Sequence, residues 1–172
     1  LGWGDDFAGA LAALDRAAWR PARVAVEFQD QLRLIDGGGT FAARLSGVMR
    51  DVPSRLERPA VGDWVAVESA ADEESDAIVH ALLPRRTVFV RRAAGKRELP
   101  QVIAANIDVV FIVTSLTREF NPRRLERYVA AVHDAGATPV LVLNKTDLVD
   151  DVDGRLPHDL GAAVAVEGVT GP

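Results

Sequence analysis

Apolar residues change their spacing midway along this chain, and the change separates two kinds of sheet. From Arg23 the period is two: Val24, Val26 and Phe28 alternate with Arg23, Ala25 and Glu27, and Leu32 and Leu34 follow the polar pair Gln29-Asp30. That is a hairpin signal. Gly37-Gly38-Gly39 marks the next turn, and residues 41–49, 61–68 and 78–83 supply three more strand-like segments. Five short strands in so short a stretch predict a small barrel of the OB type. Residues 107–115, Ile-Asp-Val-Val-Phe-Ile-Val-Thr-Ser, instead form a nearly continuous β-branched run, the mark of a strand buried on both faces of a parallel sheet.

A helix is predicted after that run. Asn121 can cap it with Pro122 at its first position, Leu125, Tyr128, Val129 and Val132 form one apolar face, and Gly136 stops it. Val140 to Leu143 then read as a second buried strand, which completes a βαβ unit with an expected right-handed crossover. Ahead of the barrel, Phe7, Leu11, Leu14 and Trp19 follow a helical spacing that Pro21 ends. The fold class expected is therefore all-β plus α/β. An N-terminal arm or helix over 1–22 precedes an OB barrel over 23–84, a basic connector over 85–105 and an incomplete α/β domain over 106–172.

Composition narrows the partners. Among 172 residues no run approaches the roughly 20 apolar residues of a spanning helix, and Leu1-Gly2-Trp3-Gly4-Asp5-Asp6 has no basic segment leading into an apolar one. Neither a membrane partner nor a secretory leader is expected. Cysteine is absent, which excludes disulfides, thiolate catalysis and cysteine-based zinc sites within these residues, and fits a cytoplasmic setting. Lys plus Arg total 20 against 25 Asp plus Glu, a net charge of -5, so nucleic-acid binding has to come from a local patch.

Directly after the second buried strand stands Asn144-Lys145-Thr146-Asp147, the Asn-Lys-x-Asp pattern of guanine-specific binding. Asp147 can accept hydrogen bonds from guanine N1–H and its exocyclic amino group. Asn144 can bond the purine edge and secure neighbouring loops, and the Lys145 stem can cover the ring. Strand ends of open α/β sheets are where such ligands bind. The phosphate loop Gly-x-x-x-x-Gly-Lys-Ser/Thr occurs nowhere: Gly95-Lys96 is followed by Arg97 and has Val90 where the first glycine belongs. Either the chain is degenerate or its motifs are circularly permuted.

Several linked motifs occur in the order seen in one family. They are Leu1-Gly2-Trp3, Val61-Gly62-Asp63-Trp64-Val65, Leu83-Pro84-Arg85-Arg86, Gln101-Val102-Ile103-Ala104-Ala105-Asn106-Ile107-Asp108 and Leu143-Asn144-Lys145-Thr146-Asp147-Leu148. On these residues, covering about 1–150, the chain resembles the ribosome-small-subunit-dependent GTPases of the RsgA (YjeQ) type. The resemblance implies an N-terminal OB domain, a circularly permuted GTPase domain whose guanine motif precedes the P-loop, and a zinc-binding tail. It implies GTP or GDP as ligand, Mg²⁺ and structural Zn²⁺ as cofactors, and late maturation of the small (30S) ribosomal subunit and its 16S rRNA as the task. The P-loop, the switch motifs and the Mg²⁺ and Zn²⁺ ligands are absent from these 172 residues, so no hydrolysis is expected from them alone. Residues 164–171 depart from the family's Ser-Ala loop, reading Val-Ala-Val-Glu-Gly-Val-Thr-Gly.

A second candidate is the basic cluster Arg85, Arg86, Arg91, Arg92, Lys96 and Arg97, uninterrupted by acids, which can grip RNA phosphates. Phe89, Trp64 or Phe41 can stack bases, although core packing is the expectation for Trp64 and Phe41. The alternative functional reading is a non-catalytic OB-fold RNA-binding module. His80, His133 and His158 have no metal-ligand spacing, and Asp151-Val152-Asp153-Gly154 reads as a solvated turn. A sheet of only two strands, with unpaired edges and bare apolar faces, further predicts self-association.

Overall fold

The alternation beyond Arg23 is realised as a closed barrel. The computed structural model describes residues 1–28, 31–70, 72, 75–91, 100–115 and 120–148, together with the backbone of 163–166. It divides into two units, Leu1–Asn106 and Ile107–Pro172. In the first, helix α1 (Asp5–Ala12) precedes strands β1 (Trp19–Phe28), β2 (Gln31–Asp36) and β3 (Gly39–Leu45), helix α2 (Gly47–Arg50), and strands β4 (Trp64–Glu68) and β5 (Ala77–Leu82). The strands close in the order β1-β2-β3-β5-β4, with β3 and β5 parallel and the other neighbouring pairs antiparallel. That closure is the five-stranded OB arrangement.

Val24, Leu34, Val65, Val67 and Val79 fill the barrel, each nearly or fully removed from water. Each such side chain contributes on the order of 1.5–3 kcal/mol by burial. The segment read as a strand over 41–49 ends at Leu45 because Ser46 caps α2: its Oγ accepts from the Met49 amide at 3.3 Å, and Met49 packs into the barrel core. The predicted arm also ends early. Helix α1 stops at Ala12, Asp15 takes the left-handed region at φ +50°, and Trp19 already belongs to β1. Pro21 is accommodated in that strand because pairing to β2 begins only at Arg23.

The stretch expected as a connector carries an antiparallel ribbon, β6 (Val88–Arg91) with β7 (Gln101–Ala105). Its fit to the barrel turns on Gly62, at φ +90°. A Cβ there would lie 2.1 Å from the Ala105 carbonyl oxygen, and the Ala105 amide donates to the Val61 carbonyl at 2.9 Å. Asn106, buried at φ +53°, donates from Nδ2 to the Gly62 carbonyl at 3.2 Å and accepts the Arg86 amide at 2.8 Å. Arg23 adds its Nε to the Gly62 carbonyl at 3.0 Å, an Nη2 bond to the Asn106 carbonyl at 2.7 Å and an Nη1 bond to the Leu1 carbonyl at 2.6 Å.

The second unit holds β8 (Val109–Ser115), α3 (Pro122–Asp134), β9 (Thr138–Asn144) and β10 (Ala163–Val166), with sheet order β10-β9-β8 and both pairs parallel. Asn121 caps α3 by accepting the Arg124 amide at 3.1 Å, and Gly136 at φ +83° follows its end. Ile112, Leu125, Val132, Leu141 and Leu143 are buried. Two expectations are corrected. The third strand, β10, makes β9 central and pairs both of its edges. The β8 run is not covered on both faces either: Val109, Phe111 and Val113 are exposed, the last two by 67% and 65%. Among the described residues no helix is long and apolar enough to cross a membrane.

Replacing Gly62 by Ala forces a Cβ onto the Ala105 carbonyl at a φ that L-residues rarely adopt, and is expected to cost roughly 2–4 kcal/mol. Thermal unfolding should show a midpoint lower by about 10 °C or more. Gly37→Ala, where a Cβ meets open space, should leave it nearly unchanged.

Candidate functional site

The carboxyl edge of the parallel sheet brings Ser115, Asn144 and Val166 level across the three strands. Asn144 ends β9, and its Oδ1 accepts from the Lys145 amide at 2.9 Å. Lys145 then takes φ +61°, a left-handed turn that costs a non-glycine residue energy. That turn swings the chain off the sheet into the 3₁₀ turn Thr146–Leu148, where the Leu148 amide bonds the Lys145 carbonyl at 3.2 Å. Asn144 and Thr146 are half-buried, while Lys145 and Asp147 are exposed. A side-chain amide, an ammonium stem and a carboxylate are thus delivered within four residues to the strand edge where open α/β sheets take ligands. Residues 167–171 of the departing loop, and the turn 151–154, lie outside the described residues.

The basic cluster separates into unlike parts. Arg85 is 14% exposed and lies against the fully buried Asp63: Nε donates to Oδ1 at 2.8 Å and Nη2 to Oδ2 at 2.7 Å. Nη2 also donates to the Arg58 carbonyl at 2.8 Å, and Nη1 donates to that of Leu56. Asp63 Oδ2 in turn accepts the Ala60 amide at 2.8 Å. Arg86 forks onto Asp6 and lies over the Phe7 ring, 4.3 Å from its centroid. The Arg86 side-chain bond lowers the Asp6 carboxyl from 3.8 to about 2. With the folded value depressed, the pair contributes stability above the ordinary value and loses it as pH falls through about 2. Arg91 is exposed at the end of β6. Arg92, Lys96 and Arg97 lie outside the described residues.

Trp64 is buried with Phe7 and Leu83, edge-on to Trp3 at 4.7 Å between ring centroids. Phe41 is partly buried beneath the Arg20 guanidinium. His80 stacks on Trp19 and meets Glu68 Oε2 at 2.9 Å; His158 lies outside the described residues. Among the described residues no three His, Asp or Glu side chains converge on a possible metal position. Among the described residues there is thus no ligand set of the kind a structural Zn²⁺ takes. One grouping was not legible from the sequence: Glu27 shares a cleft with Arg55 and Arg58 and with Gln101, three segments far apart in the chain.

A small closed barrel is followed in the chain by a parallel sheet with Asn-Lys-x-Asp on its carboxyl edge. The family model described as RsgA GTPase matches residues 82–165. The small ribosomal subunit biogenesis GTPase RsgA of Opitutus terrae is 46% identical over 162 residues, covering 90% of this chain and 44% of that protein. The protein of the same name from Syntrophotalea carbinolica is 37% identical over 162 residues, with 90% and 44% covered. The crystal structure of YjeQ from Thermotoga maritima superposes with a TM-score of 0.64 at 19% identity, covering 87% of this chain and 52% of that one. YloQ, titled a circularly permuted GTPase, gives 0.58 at 18% identity, with 78% and 44% covered. The chain belongs to the RsgA (YjeQ) family of circularly permuted GTPases. It spans less than half the length of the two named relatives.

Arg85→Ala leaves the Asp63 carboxylate buried without its cation, and is expected to destabilise the first unit by about 3–5 kcal/mol. Arg91→Ala should stay within about 0.5 kcal/mol, as exposed substitutions do. Urea denaturation of the two variants checks the contrast.

Proposed function

We propose that this chain supplies the guanine-selecting and RNA-docking elements of a GTPase that acts in late maturation of the small ribosomal subunit in the cytoplasm. The observation that supports it most directly is the placement of Asn144, Lys145 and Asp147 at the carboxyl end of β9, flanked by parallel strands. In this reading Asp147 accepts from guanine N1–H and the amino group, Asn144 bonds the purine edge and Lys145 covers the ring. GTP hydrolysis belongs to the intact parent, whose phosphate-binding groups are not among these 172 residues, and no hydrolysis is proposed for the chain alone.

For 16S rRNA, the proposed contact is Arg91, which is exposed, together with Arg92, Lys96 and Arg97 of the same basic cluster, which lie outside the described residues. Arg85 and Arg86 serve chiefly to tie the segment ahead of that ribbon to the loop before β4, through Asp63, and to α1, through Asp6. Neutralising phosphates releases counterions, which lets a protein of net charge -5 bind RNA through a local patch.

Self-association of the isolated chain is also proposed, through the bare apolar face bearing Val109, Phe111 and Val113. Sedimentation at rising concentration should show dimers or larger species, and Phe111→Asp should return the profile toward monomer. A wild-type monomer throughout counts against this.

The base-reading role is tested in the intact parent chain. Asp147→Asn replaces a double acceptor by an amide that presents a donor to one guanine donor. Hydrogen bonds to charged groups are worth about 1.5–3 kcal/mol each, so GTP affinity should fall at least about tenfold. Xanthine carries an oxygen where guanine has its amino group, and the new amide can donate to it. Competition between GTP and xanthosine triphosphate on folded protein should shift toward the latter; an unaltered preference for guanine removes the assignment.

A further inference from the structure

A cleft of about 540 Å³ opens within the first unit, between the end of β1, the loop ahead of β4 and the start of β7. That size is typical of small-ligand sites. Glu27, Arg55, Arg58 and Gln101 supply its polar lining, and the buried Pro59, Ala60 and Val102 its apolar floor. The wall is held in place beforehand. Arg58 Nη2 donates to the Arg50 carbonyl at 2.9 Å, the Arg58 carbonyl accepts from Arg85 at 2.8 Å, and the Ala60 amide is fixed on Asp63 at 2.8 Å.

The charges in this cleft are mixed in a selective way. Glu27 is exposed at the rim, where partial desolvation raises its carboxyl above the usual range while Arg58 and Arg55 pull it back down. A simple anion would be drawn to the guanidinium groups and repelled by Glu27; a simple cation would meet the reverse. A ligand carrying both an anion and a pair of N–H donors, with a flat apolar body between them, satisfies every wall. Guanidinium forks match phosphate oxygens, and a carboxylate matches the paired N1–H and amino donors of guanine, which adenine lacks. We propose that this cleft seats one guanine nucleotide of single-stranded RNA, with Arg55 and Arg58 on its phosphate, Glu27 on its N1–H and amino edge, and the ring over Pro59 and Val102. This rests on the reading of the chain as RNA-docking and adds to it a base-specific position, at residues separate from the basic cluster and from Asp147.

The test uses the isotope-labelled 172-residue chain titrated with the RNA pentamers UUGUU and UUAUU and with free GMP. Expected are amide shifts at Ala60, Gln101 and Val102, a preference for UUGUU of about tenfold, and much weaker binding of GMP at the same amides. Glu27→Gln should abolish the guanine preference while the amide spectrum stays folded. Arg55→Ala should weaken both pentamers and lower the log–log salt slope by about 0.7, the single-strand value for one phosphate. Binding of RNA with an unaltered preference in Glu27→Gln, or with no shifts at the cleft, overturns this site and leaves RNA docking standing. GMP binding there as tightly as UUGUU overturns the assignment to RNA. No RNA binding by the wild type removes both readings.

Discussion

One buried carboxylate organises most of the first unit. Asp63, fully removed from water, takes two bonds from Arg85 and one from the Ala60 amide, while Arg85 reaches on to the carbonyls of Leu56 and Arg58. Such a pair is no large gain over an apolar replacement, because both charges had to be desolvated. What it secures is conformation. The loop between α2 and β4 has little regular structure beyond a single 3₁₀ turn, and the ion pair specifies where its carbonyls point. The neighbouring Gly62 then allows the Ala105 carbonyl to come close enough for the ribbon to dock.

The barrel and the βαβ unit were legible because both rest on periodicity. Val24, Leu34, Val65 and Val67 point inward, but the alternation read through Val26 and Phe28 fails, because a bulge between Val24 and Val26 leaves both exposed; Asn121, Pro122 and Gly136 bound α3 by capping rules that depend on a few adjacent residues. The ribbon was not legible. Val88 to Arg91 is a short strand with half-exposed side chains, and what fixes it is the distant contact of Ala105 with Val61 and Gly62. Composition likewise grouped Arg85 with Arg91, yet one lies beneath the surface on Asp63 and the other stands in solvent. The strand-end motif could be read from four residues because its geometry is local. The cleft of Glu27, Arg55, Arg58 and Gln101 could not, since it exists only once three distant segments meet.

The two faces of the parallel sheet differ for a reason visible in the register. Val109, Phe111 and Val113 stand level with Thr138, Val140 and Val142 on one face, and Ile112 stands level with Leu141 on the other, which is buried with Leu125 and Val132 of α3. A single crossover helix can screen only one side of a sheet. The β-branched composition of β8 is thus suited to more cover than the described residues provide.

The stitches that complete the first unit are the most distant in sequence, and this bears on the order in which the chain assembles as it is synthesised. Arg86 is separated from Asp6 by 80 positions, and Arg23 from Asn106 by 83. Strands β1 to β5 can pair as soon as Leu82 has emerged, but the N-terminal arm and the Gly62 turn gain their final partners only when Arg86, Ala105 and Asn106 follow. Long-range closure of this kind slows folding. Asp63 too can gain its arginine only after all five strands have been synthesised, because Arg85 follows Leu82 in the chain.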